Sequence, residues 1–217
     1  EISECLVGSE MCIRDRSETG TDIIAAGSGC VDNNMAAYTQ SLDGTNSACT
    51  FYFDRFYAAI NWCNTAIFHA QTVPNPSNDE ILATTLNKRE AEARVLRTFY
   101  YWILTETFGD TYYTDQPSTS IVMNPVKTST DNIYQYMFDD LDWAIKSKLS
   151  TLQNDGGRVT IWTAKALKAR LLLTRASEKN DVDMYGQAYD LAKDVIENGP
   201  FELAEDFASI WDMKNSD

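Results

Sequence analysis

Large apolar residues recur every three or four positions through most of the chain, and this spacing predicts helices. The longest such run lies between residues 77 and 109, and its apolar positions are Leu82, Leu86, Ala93, Leu96, Tyr100, Ile103, Leu104 and Phe108. Ser77 with Glu80 fits a capping box at its start, and Gly109 fits its end. We predict that this segment is the central helix of the domain.

The polar positions of the central helix are mostly charged. Glu90 lies one turn before Arg94, and Lys88 lies one turn before Glu92, which predicts supporting ion pairs on the polar face. We interpret Glu92, Arg94 and Arg97 as ties between helices rather than as catalytic groups. The central helix is therefore predicted to be structural.

Similar spacing predicts four further helices, at about 51–71, 129–149, 158–177 and 183–198. Short turns join the first of these to the central helix and the last two to each other, which favours antiparallel hairpins. Residues 17–50 and 110–129 are polar and lack a period, which predicts long loops. The predicted fold class is all-α, with stacked helical hairpins of tetratricopeptide-like type and long irregular surface loops.

The predicted domain organisation separates a short leader from one helical domain. Residues 1–16 have no helical period and resemble translated adapter sequence, so we expect a non-native or disordered leader and leave it out of the fold prediction. Residues 17–217 are expected to be a partial helical domain. Its parts are a 17–50 loop region, a 51–108 helical hairpin, a 129–149 helix, a 158–198 helical hairpin and a 199–217 truncated connection.

The net charge of the chain argues against two classes of binding partner. Acidic residues outnumber basic residues by 32 to 18, which gives a net charge of −14. This balance argues against binding to nucleic acid, whose phosphates require Lys and Arg, and against a polybasic contact with a membrane. No run approaches the roughly 18 apolar residues of a membrane span. A single histidine, His69, cannot build a His-rich metal site, and we expect no cofactor.

The cysteines match no metal or redox pattern. Their positions are Cys5, Cys12, Cys30, Cys49 and Cys63. The spacing fits neither a zinc site nor a CxxC motif. Two interpretations stay open, namely one disulfide such as Cys30–Cys49, or free buried thiols.

Several short motifs occur in an order that is typical of one family. The central helix carries Glu-Ala-Arg-Val-Leu-Arg at 92–97, aromatic residues at 100–102 and Phe-Gly-Asp at 108–110. The other motifs are Gly-Thr-Asp at 20–22, Ile-Tyr at 133–134, Gly-Arg-Val-Thr at 157–160 and Ile-Glu-Asn-Gly at 196–199. In this order the chain resembles the SusD/RagB glycan-uptake lipoproteins of Bacteroidetes outer membranes over about residues 17–217. The signal peptide, lipidated cysteine, first helix and C-terminal half of that family have no counterpart here, so we expect a fragment.

The resemblance implies a function in nutrient uptake at the cell surface. It implies a protein of the outer membrane that binds oligosaccharides or polysaccharides without catalysis and works with a SusC-like TonB-dependent transporter barrel. Attachment to the membrane is expected only through a lipid anchor that is absent from this chain. No nucleic-acid partner is expected.

The candidate ligand-binding residues follow from the chemistry of sugars. Sugar faces stack on aromatic rings, and their hydroxyl groups bond to amides and carboxylates. In the family, ligand contacts often come from the loop after the Thr-Asp motif. Our glycan-binding candidates are Asp22, Asp32, Asn33, Asn34, Tyr38 and Trp62. Asp22 also fits a simple loop turn, and Trp62 also fits a packed core position.

Two other functional classes stay open. One is a tetratricopeptide-like scaffold for protein–protein interaction, which requires a groove with carboxylate-clamping Lys or Asn. The other is a helical glycoside hydrolase that uses a carboxylate pair, either Glu90 with Glu92 or Asp139 with Asp140. Residues one or two positions apart on a helix do not face each other, which disfavours the hydrolase.

Overall fold

The computed structural model of the protein describes residues 38–40, 43–147, 149, 157–203, 206 and 208. The chain divides into two units, Glu1–Ala58 and Ala59–Asp217, and the division falls within the first helix. The predicted leader, 1–16, and most of the predicted 17–50 loop lie outside the described residues.

The described residues form five α-helices and one pair of two-residue strands. These are α1 (Ser47–Thr72), α2 (Glu80–Phe108), β1 (Thr111–Tyr112), β2 (Lys127–Thr128), α3 (Thr130–Lys146), α4 (Ile161–Lys179) and α5 (Val182–Asn198). The all-α prediction is confirmed. Helix α1 begins at Ser47, four residues before the predicted start at Phe51. Helix α4 begins at Ile161 rather than at Arg158, because the Thr160 side chain caps its first turn.

The cap of the central helix, α2, differs from the prediction. Asp79 is the N-cap, and its carboxylate accepts hydrogen bonds from the backbone N–H groups of Ile81 and Leu82 at 2.8 and 3.2 Å. Ser77, the predicted cap, lies two residues too early. Asn75 Oδ1 accepts from the backbone N–H of Asp79 at 2.9 Å, which fixes the turn that leads into the cap. At the other end, Gly109 has a φ of 69°, which a residue with a Cβ rarely adopts.

Helices α1 and α2 run antiparallel. Gln71 Nε2, near the end of α1, donates to Glu90 Oε1 at 2.7 Å. Asn64, earlier in α1, accepts from Arg97 Nη1, later in α2, at 2.8 Å. In the rest of the second unit, packing follows chain order, with α2 against α3, α3 against α4 and α4 against α5.

Apolar residues at helical spacing predict a buried stripe along α3, and the structure confirms this prediction. Its members are all below a tenth exposed, and they are Ile133, Met137, Leu141, Ala144 and, just after the helix, Leu149. Tyr101 and Leu104 of α2 and Leu171 of α4 are also fully buried, and α2, α3 and α4 pack on one another. The core of the second unit therefore lies between α2, α3 and α4.

The buried face of α2 is more polar than its apolar spacing predicts. Glu90, Arg97 and Thr98 are buried, whereas Leu96 is 40% exposed. The prediction that Leu96 faces the core is wrong. An ionic cluster lies on the buried face of α2, where the helical spacing predicts apolar side chains.

This ionic cluster consists of Glu90, Arg94, Arg97 and Asp140. The Asp140 carboxylate on α3 accepts from Arg94 Nη1 at 2.6 Å and from Arg97 Nε and Nη2 at 2.8 Å each. Arg94 also donates to Glu90 Oε1 from Nε at 2.9 Å and from Nη2 at 2.7 Å. The predicted Glu90–Arg94 pair is confirmed, and so is the prediction that Arg94 and Arg97 tie helices together.

Buried polar side chains also hold the connection between α2 and α3. Asn64 Nδ2 donates to the carbonyl groups of Thr114 and Gln116 at 3.0 and 3.1 Å. The Tyr101 hydroxyl donates to the Thr114 carbonyl at 2.9 Å and accepts from its N–H at 2.8 Å. The antiparallel pairing of β1 with β2 closes this connection at its base. The sequence predicts a loop here but not the strand pair.

Helix α5 differs most from its predicted burial. Ala188 is its one buried residue. Tyr189 and Ile196 keep the apolar helical spacing that predicts an inward face, but they are 65% and 78% exposed. Helix α5 packs on α4, and within the described residues much of its apolar stripe is exposed.

None of the helices in the described ranges is both long enough and apolar enough to cross a membrane.

In the first unit, aromatic side chains pair along α1. The rings of Tyr52 and Phe56 stack at 5.7 Å, and those of Phe53 and Tyr57 lie 4.7 Å apart. Because each pair is one helical turn apart, these contacts support the start of α1.

Candidate functional site

The structure describes two of the six candidate ligand-binding residues. Asp22, Asp32, Asn33 and Asn34 lie outside the described residues. Tyr38 belongs to the first unit and is 70% exposed, with a φ of 47°. Trp62 belongs to the second unit and is 72% exposed, so it is not the packed core residue of the alternative interpretation.

Trp62 lines a groove of about 340 Å³ between α1 and α2. The α1 wall consists of Ala59, Trp62, Cys63 and Ala66, which recur at helical spacing. The α2 wall consists of Ala93, Leu96 and Tyr100, again at helical spacing. Small alanine side chains on both walls leave space beside the indole. We call this feature the Trp62 groove.

A second set of side chains forms the polar rim of the Trp62 groove. Arg89 Nη1 donates to Glu92 Oε1 and Oε2 at 3.0 and 2.9 Å. Arg158, just before α4, donates to the same carboxylate from Nε at 2.9 Å and from Nη2. The side chains of Arg89 and Arg158 are 47% and 43% exposed, whereas that of Glu92 is 14% exposed. Glu92 therefore orients two accessible guanidinium groups.

The electrostatics of the rim keep Glu92 ionised. Partial burial alone raises the pKa of Glu92, but hydrogen bonds and charges from Arg158 and Arg89 outweigh burial. The net effect lowers the pKa of Glu92 below its ordinary value. The sequence predicted that Glu92 pairs with Lys88. That prediction is wrong, because Arg89 and Arg158 hold the carboxylate.

Cys63 contributes to the groove as an apolar wall. Burial raises the pKa of its thiol to about 11, so the thiol stays protonated at neutral pH. Cys63 is a free buried thiol, as one interpretation predicts, and Cys49 is a free thiol that is half-buried. Cys5, Cys12 and Cys30 lie outside the described residues. Across the part of the chain that the structure describes, His, Cys, Asp and Glu form no group of three placed to hold a metal ion.

The carboxylates proposed for a hydrolase do not form a catalytic pair. Glu90 and Asp140 lie in the interior and bind Arg94 and Arg97. Glu92 binds the two rim arginines. A glycosidase needs two carboxyl groups that face one another across the scissile bond, one of them with a raised pKa. These ion pairs therefore disfavour the hydrolase.

A second depression, of about 380 Å³, lies along the exposed side of α4 and α5. Leu173, Tyr185 and Tyr189 line it, and a neighbouring hollow includes Lys193. Lys193 lies 3.8 Å from Glu197 in an ion pair, which does not provide a free clamp for a peptide carboxylate. Lys193 is the one Lys or Asn among the residues that line these two depressions, which disfavours the scaffold alternative at this surface.

A comparison with known protein families shows to which family the chain belongs. Residues 22–214 match the model of the SusD-like family described as "Starch-binding associating with outer membrane". The chain belongs to the SusD-like family. The resemblance seen in the sequence motifs is thereby confirmed.

Individual relatives agree with this assignment. The SusD-like chain is 29% identical to a SusD-like protein of Bacteroides ovatus, over 74% of this chain and 30% of that protein. It is 24% identical to a SusD superfamily protein of Parabacteroides distasonis, with a TM-score of 0.72, over 82% of this chain and 38% of that structure. A crystal structure with a xylogluco-oligosaccharide is also 24% identical, with a TM-score of 0.68, over 80% and 34% of the two chains. Likeness at this identity establishes the fold, and the chain spans about a third of the length of these relatives.

The sequence suggested Trp62 but missed the rim. By local pattern the rim consists of ordinary surface charges, namely Arg89, Glu92 and Arg158. They come together only because α2 packs beside residue 158. One local indication was present, because Ala59 and Ala66 flank Trp62 at helical spacing and leave room on one face. The spacing alone could not show that Leu96 and Tyr100 form the opposite wall.

Proposed function

We propose that this SusD-like chain is part of a cell-surface protein that binds oligosaccharides without cleaving them. The exposed indole of Trp62, set in a groove with polar groups at one rim, is the observation that carries the proposal. A sugar ring stacks its apolar face on an indole, and its hydroxyl groups bond to the guanidinium and carboxylate groups beside it. The volume falls at the lower end of the range for small-molecule pockets, about 300–1,000 Å³.

The family and the relatives support the ligand class and the location. The family description refers to starch binding and to association with the outer membrane. One relative was crystallised with a xylogluco-oligosaccharide. By resemblance, the proposed partner of the whole protein is a SusC-like TonB-dependent transporter barrel, and the proposed attachment of the whole protein is a lipid anchor. The proposed outcome of binding is nutrient uptake.

The test is a titration of the 217-residue chain with a panel of neutral and acidic oligosaccharides, followed by NMR of the tryptophan Nε1–H groups. We expect the Trp62 signal, assigned with Trp62→Ala, to shift on titration, whereas the signal of buried Trp162 stays in place. Trp62→Ala should weaken binding about tenfold, because it removes the stacking surface. Since the chain spans about a third of its relatives, we expect dissociation constants of about millimolar size.

Tyr189→Ala is the matched control. It removes a comparably exposed aromatic ring on α5, outside the Trp62 groove, and should leave the affinity unchanged. Chromatography of the sugars after long incubation should show no product. No response to any sugar, or hydrolysis of the sugar, would contradict the proposed function.

A further inference from the structure

The Trp62 groove has a defined direction, because α1 and α2 run antiparallel. Their register is set by two hydrogen bonds, from Gln71 to Glu90 and from Arg97 to Asn64. The rim residues of α2 have the lowest numbers among its lining residues, so the rim lies toward the Gln71 end of the groove. Trp62 lies toward the Asn64 end. The indole and the polar rim are therefore separated along the groove.

The stretch of the groove between the indole and the rim is apolar. Ala66 on α1 and Ala93 on α2 line it, and Cys63 lies beside Ala66 at helical spacing. None of these three side chains contains an oxygen or nitrogen atom. A sugar hydroxyl placed over them loses water without gaining a strong hydrogen bond, whereas a methyl group gains from burial. We call these three residues the apolar floor.

The rim offers hydrogen-bond donors rather than acceptors to a ligand. Both oxygens of Glu92 already accept from Arg89 and from Arg158. A carboxylate has about four lone-pair sites, so little of its acceptor capacity remains. Among the described residues, Arg89 forms its hydrogen bonds from Nη1, so Nε and Nη2 remain available on a side chain that is 47% exposed. A ligand acceptor can therefore bond to Arg89 while Glu92 keeps the guanidinium oriented.

We propose that the Trp62 groove selects N-acetylated oligosaccharides. A sugar ring stacks on Trp62, the methyl of an acetamido group lies on the apolar floor, and the acetamido carbonyl accepts from Arg89. This inference rests on the proposed function and specifies its ligand class. An acetyl group suits this end of the groove because it joins an apolar methyl to a hydrogen-bond acceptor. A carboxylate is an acceptor without the methyl, and the net charge of −14 repels it.

The test compares triacetylchitotriose with cellotriose. Both are β-1,4-linked trimers of the same sugar ring, and they differ only in the acetamido group that replaces a ring hydroxyl. Calorimetric titration of the 217-residue chain should show about tenfold tighter binding of the acetylated trimer, because it adds methyl burial and a charge-assisted hydrogen bond. Neither trimer carries a charge, so the preference should be nearly independent of salt concentration.

Three variants alter the contacts of the ligand separately. Arg89→Met removes the donors and should reduce the preference for the acetylated trimer to within about threefold. Ala66→Leu fills the apolar floor and should also reduce the preference, because the methyl no longer fits. Since Ala66 is exposed, the larger side chain does not disturb core packing. Trp62→Ala should weaken binding of both trimers by about tenfold.

Matched substitutions on α5 are the controls. Lys193→Met removes an exposed cation, and Ala192→Leu enlarges an exposed alanine, both outside the Trp62 groove. Neither should change the preference. Circular dichroism of each variant reports whether the fold is retained, and the comparison of the two trimers on the unchanged chain tests the inference without any variant.

The outcomes distinguish this inference from the proposed function. Equal binding of the two trimers, or binding of other sugars in the panel but of neither trimer, would overturn the selectivity and leave glycan binding in place. Binding of no sugar at all would overturn both. A preference for the acetylated trimer that survives both Arg89→Met and Ala66→Leu would overturn its assignment to this end of the groove.

Discussion

Asp140 is the residue on which the interior of the second unit depends. It is 5% exposed and accepts hydrogen bonds from both Arg94 and Arg97. Burial of an ion pair costs desolvation energy that is recovered only while every member keeps its partner. The cluster therefore makes the pairing of α2 with α3 sensitive to a single side chain.

Replacement of this carboxylate should be strongly destabilising. Asp140→Ala leaves the buried guanidinium of Arg97 without its main partner and should lower the free energy of unfolding by about 3–5 kcal/mol. Asp139→Ala is the matched control, because Asp139 is exposed and should change stability by less than about 1 kcal/mol. Denaturant unfolding followed by circular dichroism measures both. Similar losses in the two variants would contradict a special role for the buried cluster.

At the level of single elements, every helix that begins within the second unit has a polar residue at its N-cap. The caps are Asp79 for α2, Ser129 for α3, Thr160 for α4 and Asp181 for α5. Each side-chain oxygen accepts from a backbone N–H that has no partner within its helix. Sequence rules placed the α2 cap at Ser77, because Ser77 and Glu80 imitate a capping box.

A pair of alanine substitutions distinguishes the two caps of α2. Asp79→Ala should destabilise the protein by about 1 kcal/mol, because two N–H groups of the first turn lose their acceptor. Ser77→Ala should have an effect within about 0.5 kcal/mol, since Ser77 is exposed and outside the cap. Thermal and denaturant unfolding of both variants provide the comparison. A larger effect at Ser77 would restore the capping box predicted from sequence.

On the scale of the whole molecule, packing in chain order decides which side of each helix is buried. Helix α4 shows this clearly, because Leu171 is fully buried whereas Leu173, two positions later, is 53% exposed. Both are leucines in the same helix, so composition cannot separate them. The contacts of α4 with α3 and α5 decide which of the two leucines is buried.

Truncation of these two leucines should have very different effects. Leu171→Ala should lower the free energy of unfolding by about 2–5 kcal/mol through lost burial and a cavity. Leu173→Ala should lower it by less than about 1 kcal/mol, because much of that side chain already contacts solvent. Equal losses, measured by denaturant unfolding at the same pH, would mean that a further surface covers Leu173.

Local patterns were sufficient for the helices, the buried stripe of α3 and the end of α2 at Gly109. Helical periodicity, caps and glycine conformations involve residues within a few positions of one another, so the local sequence determines them. The same periodicity, with the short turns between helices, was sufficient for the all-α fold class. Trp62 was a candidate from sequence because it is an aromatic residue on the first predicted helix, and its role in glycan binding stays a prediction.

The composition of the Trp62 groove depended on contacts between distant segments. Arg158 reaches Glu92 across 66 positions, and Arg97 reaches Asp140 across 43. Whether a charge is buried, exposed or shared depends on which partner packs beside it, and a helical repeat contains no information about that partner. For this reason Arg97 lies in the core and Leu96 lines a groove, the reverse of what their polarity predicts.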